Sequence, residues 1–297
     1  MHSRIAAIGP AWLDRHEYPF DSKWAAVPDG RMHYVDEGSG PPVLLVHGTP
    51  TWSFEYRHVT RAVSDACRCI APDHLGFGLS DRPRQASYTP EAHAARLRQF
   101  VDSLGLDRFA MVVHDYGGPI GLPLALDGRV TRLVILNSWM WPFDDDREMT
   151  KRGRLVAGPL GRWMYRHLNA SLRLLMPSAY ARRSRLTRAI HSQYLEPFRN
   201  PADRVLVLWP LAQALLGSSQ FYRDLLARAD RLAQVPTLVI WGLKDTAFRP
   251  HQLERWRRLL PHAKVLALAH AGHWPHEEAP AEVAEEIAEF LAAGNEG

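Results

Sequence analysis

Eight short runs rich in apolar residues recur along the chain, each bounded by polar or turn-forming residues. Trp24–Val27 and Arg31–Val35 flank Pro28-Asp29-Gly30, a strand–turn–strand signal. Val43–Val46 ends at His47-Gly48, Cys67–Ala71 at Pro72-Asp73, Phe109–Val113 at His114-Asp115 and Leu133–Leu136 at Asn137. Thr237–Trp241 and Val265–Leu268 come late. Most of these runs are continuous in Val, Ile and Leu, the pattern of strands covered on both faces. Helical patterns lie between them. Thr89-Pro90-Glu91 supplies a cap residue, a proline at the first helical position and an acid in the first turn. That helix runs on through Leu97, Phe100 and Leu104 to Gly105. Pro280 to Leu291 places Val283, Ile287, Phe290 and Leu291 on one face of another. Strands alternating with helices predict an α/β fold around a mostly parallel sheet.

The alternation stops between Trp141 and Arg231. This stretch has no strand pattern and breaks at Gly158-Pro159, Pro177, Pro197, Pro201 and Pro210. It starts after one strand and ends before another, so it reads as a helical insertion lying over an edge of the sheet. The expected division is a core of residues 1–140 and 232–297 with a helical cap of 141–231.

Composition narrows the class. The 297 residues are 46% hydrophobic with 10 Trp, 9 Tyr and 10 Phe, enough for a large packed core and incompatible with disorder. No repeat of fixed period supports a solenoid. The longest apolar candidate, Leu206 to Leu216, is too short to span a bilayer and is interrupted by Pro210 and Gln213. Near the N-terminus Arg4 precedes a weak apolar patch broken by Pro10, unlike a secretory signal, so a cytoplasmic location is expected. Cys67 and Cys69 fall on one strand face with parallel Cβ vectors, a geometry that disfavours a disulfide. With no Cys or His partner set nearby they do not form a zinc site, and no metal is expected.

The net charge of +4 is unevenly spread. Residues 141–231 hold 15 Arg and 1 Lys against 8 acids, and the excess is densest from Arg147 to Arg188. Such a surface could attract anions or an acidic partner. Solvated helix faces in an Arg-rich chain are the simpler reading. No nucleic-acid motif accompanies the charge, and neither a nucleic-acid nor a membrane partner is expected.

In open α/β sheets ligands bind beyond the carboxyl ends of the strands. Polar residues stand at four such ends: His47-Gly48-Thr49-Pro50, His114-Asp115-Tyr116-Gly117-Gly118, Gly242-Leu243-Lys244-Asp245 and Ala271-Gly272-His273. At the second, a strand runs into a sharp turn and an apolar helix. This is a nucleophile elbow with Asp115 where a serine hydrolase has Ser. Asp115, Asp245 and His273 follow in the order nucleophile, acid, base.

These residues carry a family resemblance. HGTPTWSFEYR (47–57), APDHLGFGLSDRP (71–83), VVHDYGGPIG (112–121), WGLKDTAF (241–248) and AGHWPHEEAP (271–280) are similar, in order and spacing, to the α/β-hydrolases that use an Asp nucleophile. Haloalkane dehalogenases are the nearest likeness, and YLEPFRNPADR (194–204) resembles part of their cap. The resemblance implies the α/β-hydrolase fold and an Asp–His–Asp triad. It implies backbone N–H groups of Thr49 and Tyr116 as the oxyanion hole, and no cofactor beyond water. A carboxylate is ionised at neutral pH and yields an ester that can be hydrolysed, whereas Ser would yield an inert ether. His273 would activate the water and Asp245 would orient the imidazole.

The chain departs from the dehalogenase pattern at the halide site. The family commonly has Trp after the nucleophile and Asn after His-Gly, or a cap Trp; here Tyr116 and Thr49 stand there. Thr49, Tyr116, Trp139 and Trp141 are the candidate substrate-binding residues, with Trp163 and Trp209 further on in the cap. Asn137 occupies the position at which some dehalogenases carry the catalytic acid, and its neutrality favours Asp245. Epoxide hydrolases share the triad but use cap tyrosines, for which Tyr165, Tyr180 and Tyr194 are candidates. Lactone or ester cleavage and a non-catalytic ligand-binding protein complete the alternatives. The expected partners are a small apolar electrophile and water, acting on a monomer or homodimer.

Overall fold

A computed structural model describes residues 9–293; Arg4 and the patch after it lie outside that range. All eight runs are strands: β1 (Lys23–Val27), β2 (Gly30–Glu37), β3 (Pro42–Val46), β4 (Arg68–Pro72), β5 (Phe109–Asp115), β6 (Val130–Ser138), β7 (Thr237–Gly242) and β8 (Lys264–Leu268). They form one eight-stranded sheet in the order β1-β2-β4-β3-β5-β6-β7-β8. The β1–β2 and β2–β4 pairs are antiparallel; every other pair is parallel. The sequence explains the layering. The central β5 (FAMVVHD) and the interior β7 (TLVIWG) are buried at every residue, while the edge strands β1 and β8 keep exposed positions.

Helices α1 (Arg57–Val63), α2 (Pro90–Ser103) and α3 (Gly117–Leu126) flank the sheet, with Pro280–Ala292 packed on α1 and α2 packed on α3. The Thr89 hydroxyl caps α2 by accepting from the Ala92 N–H. Helix α3 (GGPIGLPLAL) is apolar almost all round and nearly wholly buried, as a helix between sheet and insertion must be. Cys67 and Cys69 are free, buried thiols, and burial pushes the Cys69 thiol up to about 12.

Between β6 and β7 every regular element is helical, beginning with α4 (Arg147–Ala157) and α5 (Pro159–Leu168). This insertion is tied to the sheet's carboxyl end. Trp52 Nε1 donates to Gln193 O at 2.9 Å, the Tyr116 hydroxyl donates to Leu211 O at 2.5 Å, and the Tyr194 hydroxyl donates to Glu277. Glu277 in turn is clamped by the buried Arg57.

Candidate active site

The turn from β5 into α3 places Asp115 in the left-handed region, φ 50°, which tips its carboxylate out of the strand line. Small neighbours make room for it. A Cβ at Gly48 would lie 2.5 Å from Asp115 Oδ1, and one at Gly118 would lie 1.9 Å from Ser138 Oγ. The Ser138 hydroxyl donates to Asp115 O at 2.5 Å, and Trp256 Nε1 donates to Ser138 O at 2.7 Å.

The Asp115 carboxylate has two distinct oxygens. Oδ1 accepts the Thr49 backbone N–H at 2.8 Å. Oδ2 lies 3.4 Å from His273 Nε2. On the other side of the ring, His273 Nδ1 is 2.7 Å from Asp245 Oδ2. The three residues that the chain order suggested thus meet, Asp115 coming from a segment more than a hundred residues before the other two, and all are buried. Burial opposes charge on His273, but Asp245 and Asp115 outweigh it and push the imidazole up to about 10. The two acids on either side of the ring thus favour its protonated form. The Thr49 loop is held by His47, whose Nε2 accepts the His74 N–H at 2.9 Å. That leaves the proton on Nδ1, which donates to Gly48 O at 2.7 Å.

The candidate substrate contacts divide. Trp141 Nε1 donates to Gln252 Oε1 at 2.8 Å and its ring packs on Trp256, so its N–H is not available to a ligand. The Tyr116 hydroxyl is likewise spent on Leu211 O, so the expected donor role of that side chain is not available. Trp139 is different. Its ring meets Tyr116 edge-on at 4.7 Å and packs at 4.7 Å on Phe248, itself 5.5 Å from the His273 ring. Its Nε1 is buried without a partner, as are the Thr49 hydroxyl, Trp274 Nε1 and the Tyr180 hydroxyl. By contrast, Trp52, Trp141, Trp209, Trp241 and Trp256 all donate to oxygens. The two buried indoles left unsatisfied are Trp274, 4.5 Å from the His273 ring, and Trp139, which packs on Phe248 next to that ring. Of the cap tyrosines, Tyr194 is bound to Glu277, and the Tyr180 hydroxyl is buried without a partner.

Two supports were not foreseen from sequence. Asn137, with φ 33°, donates from Nδ2 to Asp245 Oδ2 at 2.7 Å and accepts the Gly242 N–H on Oδ1 at 2.9 Å. It is not a stand-in for the acid; it braces the acid. The second is a buried group of Glu55, His114 and His276. His114 Nδ1 lies 3.2 Å from both Glu55 oxygens, and its Nε2 donates to the His273 carbonyl at 2.9 Å. Burial disfavours charge on Glu55, but His114 and His276 outweigh it and hold the carboxyl well below its usual range. Its one sequence signal was an acid in the otherwise uncharged stretch WSFEY.

Known proteins agree with this architecture. A family model described as alpha/beta hydrolase fold matches residues 41–280. Haloalkane dehalogenase 2 of Mycobacterium tuberculosis is 40% identical over 284 residues, covering 93% of this chain and 96% of that protein. A cis-3-alkyl-4-alkyloxetan-2-one decarboxylase of Shewanella oneidensis is 34% identical over 293 residues, covering 92% and 89%. The solved haloalkane dehalogenase DbeA from Bradyrhizobium elkani superposes with a TM-score of 0.80 at 26% identity, covering 92% of this chain and 98% of that one. The chain belongs to the α/β-hydrolase family, among its haloalkane dehalogenase-like enzymes.

Proposed function

We propose that the protein cleaves a carbon–halogen bond of a small apolar substrate by way of an ester on Asp115. The observation that carries this reading is the split environment of the carboxylate. Thr49 N–H engages Oδ1, and His273 approaches Oδ2 while bound to Asp245. Oδ2 attacks the saturated carbon, the halide leaves with the bonding pair, and an alkyl ester replaces the carboxylate. That step removes the negative charge facing His273 Nε2. One of the two influences favouring the protonated ring is lost, so His273 gives its proton to solvent as the halide departs and is then free to act as a base. A water then attacks the ester carbonyl carbon and gives its proton to His273 Nε2. The developing oxyanion sits on Oδ1, stabilised by the Thr49 N–H and by the Tyr116 N–H at the start of α3. On collapse the departing alkoxide takes that proton back from His273 Nε2 and leaves as the alcohol, and the proton of the incoming hydroxyl passes to the ring, which restores the Asp115 carboxylate.

The leaving halide needs donors, and the family's usual pair is absent. Trp139 Nε1, whose ring meets Tyr116, and the hydroxyl of Thr49, whose N–H binds Asp115, are both buried and unpartnered and are the donors we assign to it. A strained lactone is the second substrate class, supported by the 34% identity to an oxetanone decarboxylase. Epoxide opening has less support, because Tyr194, one of the three cap tyrosines, is bound to Glu277. The helical insertion, residues 141–231, serves as the cap that closes the site.

The route of oxygen tests the mechanism. In this scheme the alcohol oxygen comes from Asp115 Oδ2, and the water oxygen enters the carboxylate. A single turnover of a bromoalkane in heavy-oxygen water should label the peptide carrying Asp115 and leave the alcohol unlabelled. Label in the first-turnover alcohol would mean direct attack by water and would overturn the ester.

A further inference from the structure

Helix α5 carries Leu160, Trp163, Met164, His167 and Leu168 at spacings of three and four, the stripe that normally faces a core. Here Leu160, Trp163, His167 and Leu168 are exposed, and only Met164 is partly buried against the core. Gly161 and Tyr165 are the residues of α5 that are buried, while Leu160 and Trp163 expose more than half of their surface. The stripe has neighbours. Of the seven exposed large apolar side chains among the described residues, six lie between 155 and 175: Leu155, Leu160, Trp163, Leu168, Leu174 and Leu175. Scattered exposed leucines need no explanation, but a cluster of this kind marks a contact surface.

The same segment holds the basic excess. From Arg147 to Arg188 there are ten Arg and Lys151 against Glu148 alone, a net charge of +10, which leaves −6 on the rest of the chain. All eleven cations are exposed. Among the described residues, only Arg152 of the eleven forms an ion pair, with Glu148. Exposed Leu and Trp framed by unpaired Arg is the composition of a helix that lies in a lipid headgroup layer, apolar side down.

We propose that this face of the insertion docks the protein on an anionic lipid bilayer. Charge complementarity selects that occupant. Two copies meeting through α5 would set Arg162 and Arg166 of each against cations of the other, so a second copy is disfavoured. A nucleic acid would pair the arginines but leave the leucines in water. An anionic bilayer satisfies both at once. No helix of the described chain is long and apolar enough to cross a membrane, so the association is peripheral. It revises the expectation of no membrane partner, and it explains why the apolar stripe is left uncovered. The inference stands apart from the proposed chemistry, since docking requires no turnover.

Vesicle flotation of the full chain tests it, with phosphatidylcholine alone and with phosphatidylglycerol added. Binding is expected only to the anionic vesicles and weakens with salt. Arg166→Gln with Arg173→Gln should lower affinity about thirtyfold, at about fivefold for each cation lost near the surface. Leu160→Ser with Trp163→Ser should abolish flotation while circular dichroism shows an unchanged fold. Failure to float with anionic vesicles overturns the proposal. So does a salt-dependent dimer in sedimentation that the Leu160/Trp163 variant breaks, or binding to polyglutamate without binding to vesicles. A protein that floats but turns over no substrate keeps the docking and refutes only the chemistry.

Discussion

Replacing Trp139 by Phe separates a residue kept for a ligand from one kept for packing. The indole N–H is buried and unpartnered, and an unsatisfied buried donor costs about 1–3 kcal/mol. Trp→Phe also leaves a void, at about 1 kcal/mol for a volume difference of about 40 Å³ at about 24 cal/mol per Å³. The two effects oppose each other, so Trp139→Phe should leave stability within about 1 kcal/mol of the parent or raise it. Trp256 provides the control. It is equally buried, but its Nε1 donates to Ser138 O at 2.7 Å. The same change there opens a similar void, breaks a bond and orphans a carbonyl, for a loss of about 2–3 kcal/mol. Urea unfolding of the two variants should therefore differ by about 2 kcal/mol or more. Activity should order the other way for the first step. A hydrogen bond to a charged leaving group contributes about 1.5–3 kcal/mol, so Trp139→Phe should slow halide release in the pre-steady state about 10- to 100-fold. If Trp139→Phe is as destabilising as Trp256→Phe and releases halide at the parental rate, the indole is packing and the assignment of the leaving-group donor is wrong.

Other consequences follow from the supports of the triad. Asn137→Leu removes the brace from Asp245 Oδ2 and orphans the Gly242 N–H. It should cost about 2 kcal/mol in unfolding free energy, and it should slow ester hydrolysis more than ester formation in burst kinetics. Glu55→Leu strands the His114 imidazole in the core and should cost about 3–5 kcal/mol near neutral pH. Because the folded Glu55 carboxyl lies below its ordinary value of 4.5, its contribution is present above that value and is lost as pH falls through the folded one. The stability gap between parent and variant should therefore narrow in acid, as followed by urea midpoints against pH. His273 has the opposite sign. Its value of about 10 exceeds the ordinary 6.5, so its stabilisation is complete below about pH 6.5 and disappears as pH rises through about 10. In Asp115→Asn one of the two carboxylates is gone, and the imidazole titration followed by NMR should move down.

Much of this was legible in the chain, for reasons that differ by element. Strands such as β5 and β7 are buried on both faces, so their apolar runs are unbroken and end where the sheet ends. The triad was legible because each member stands at such an end, in order. Asn137 was weighed only as a replacement for an acid, because its partners Asp245 and Gly242 are brought to it by strand pairing rather than by spacing. Trp139 and Trp141 stand together in the sequence as equal candidates for substrate contact. The strand β6 stops at Ser138, and beyond it the two indoles diverge. Glu55, His114 and His276 come from three segments whose meeting no periodicity announces. The stripe on α5 misleads in a different way, since its spacing signals burial and the fold turns it outward.

The central claim is that Asp115 becomes an ester that His273 is needed to hydrolyse. In His273→Gln the ester should form and persist. After incubation with haloalkanes, lactones and epoxides, mass spectrometry of the peptide containing Asp115 should show a stable gain equal to the alkyl group of an accepted haloalkane. A gain that carries an extra hydroxyl would instead assign an epoxide as substrate. An unmodified Asp115 across the panel, in a variant that folds normally, would contradict the covalent mechanism.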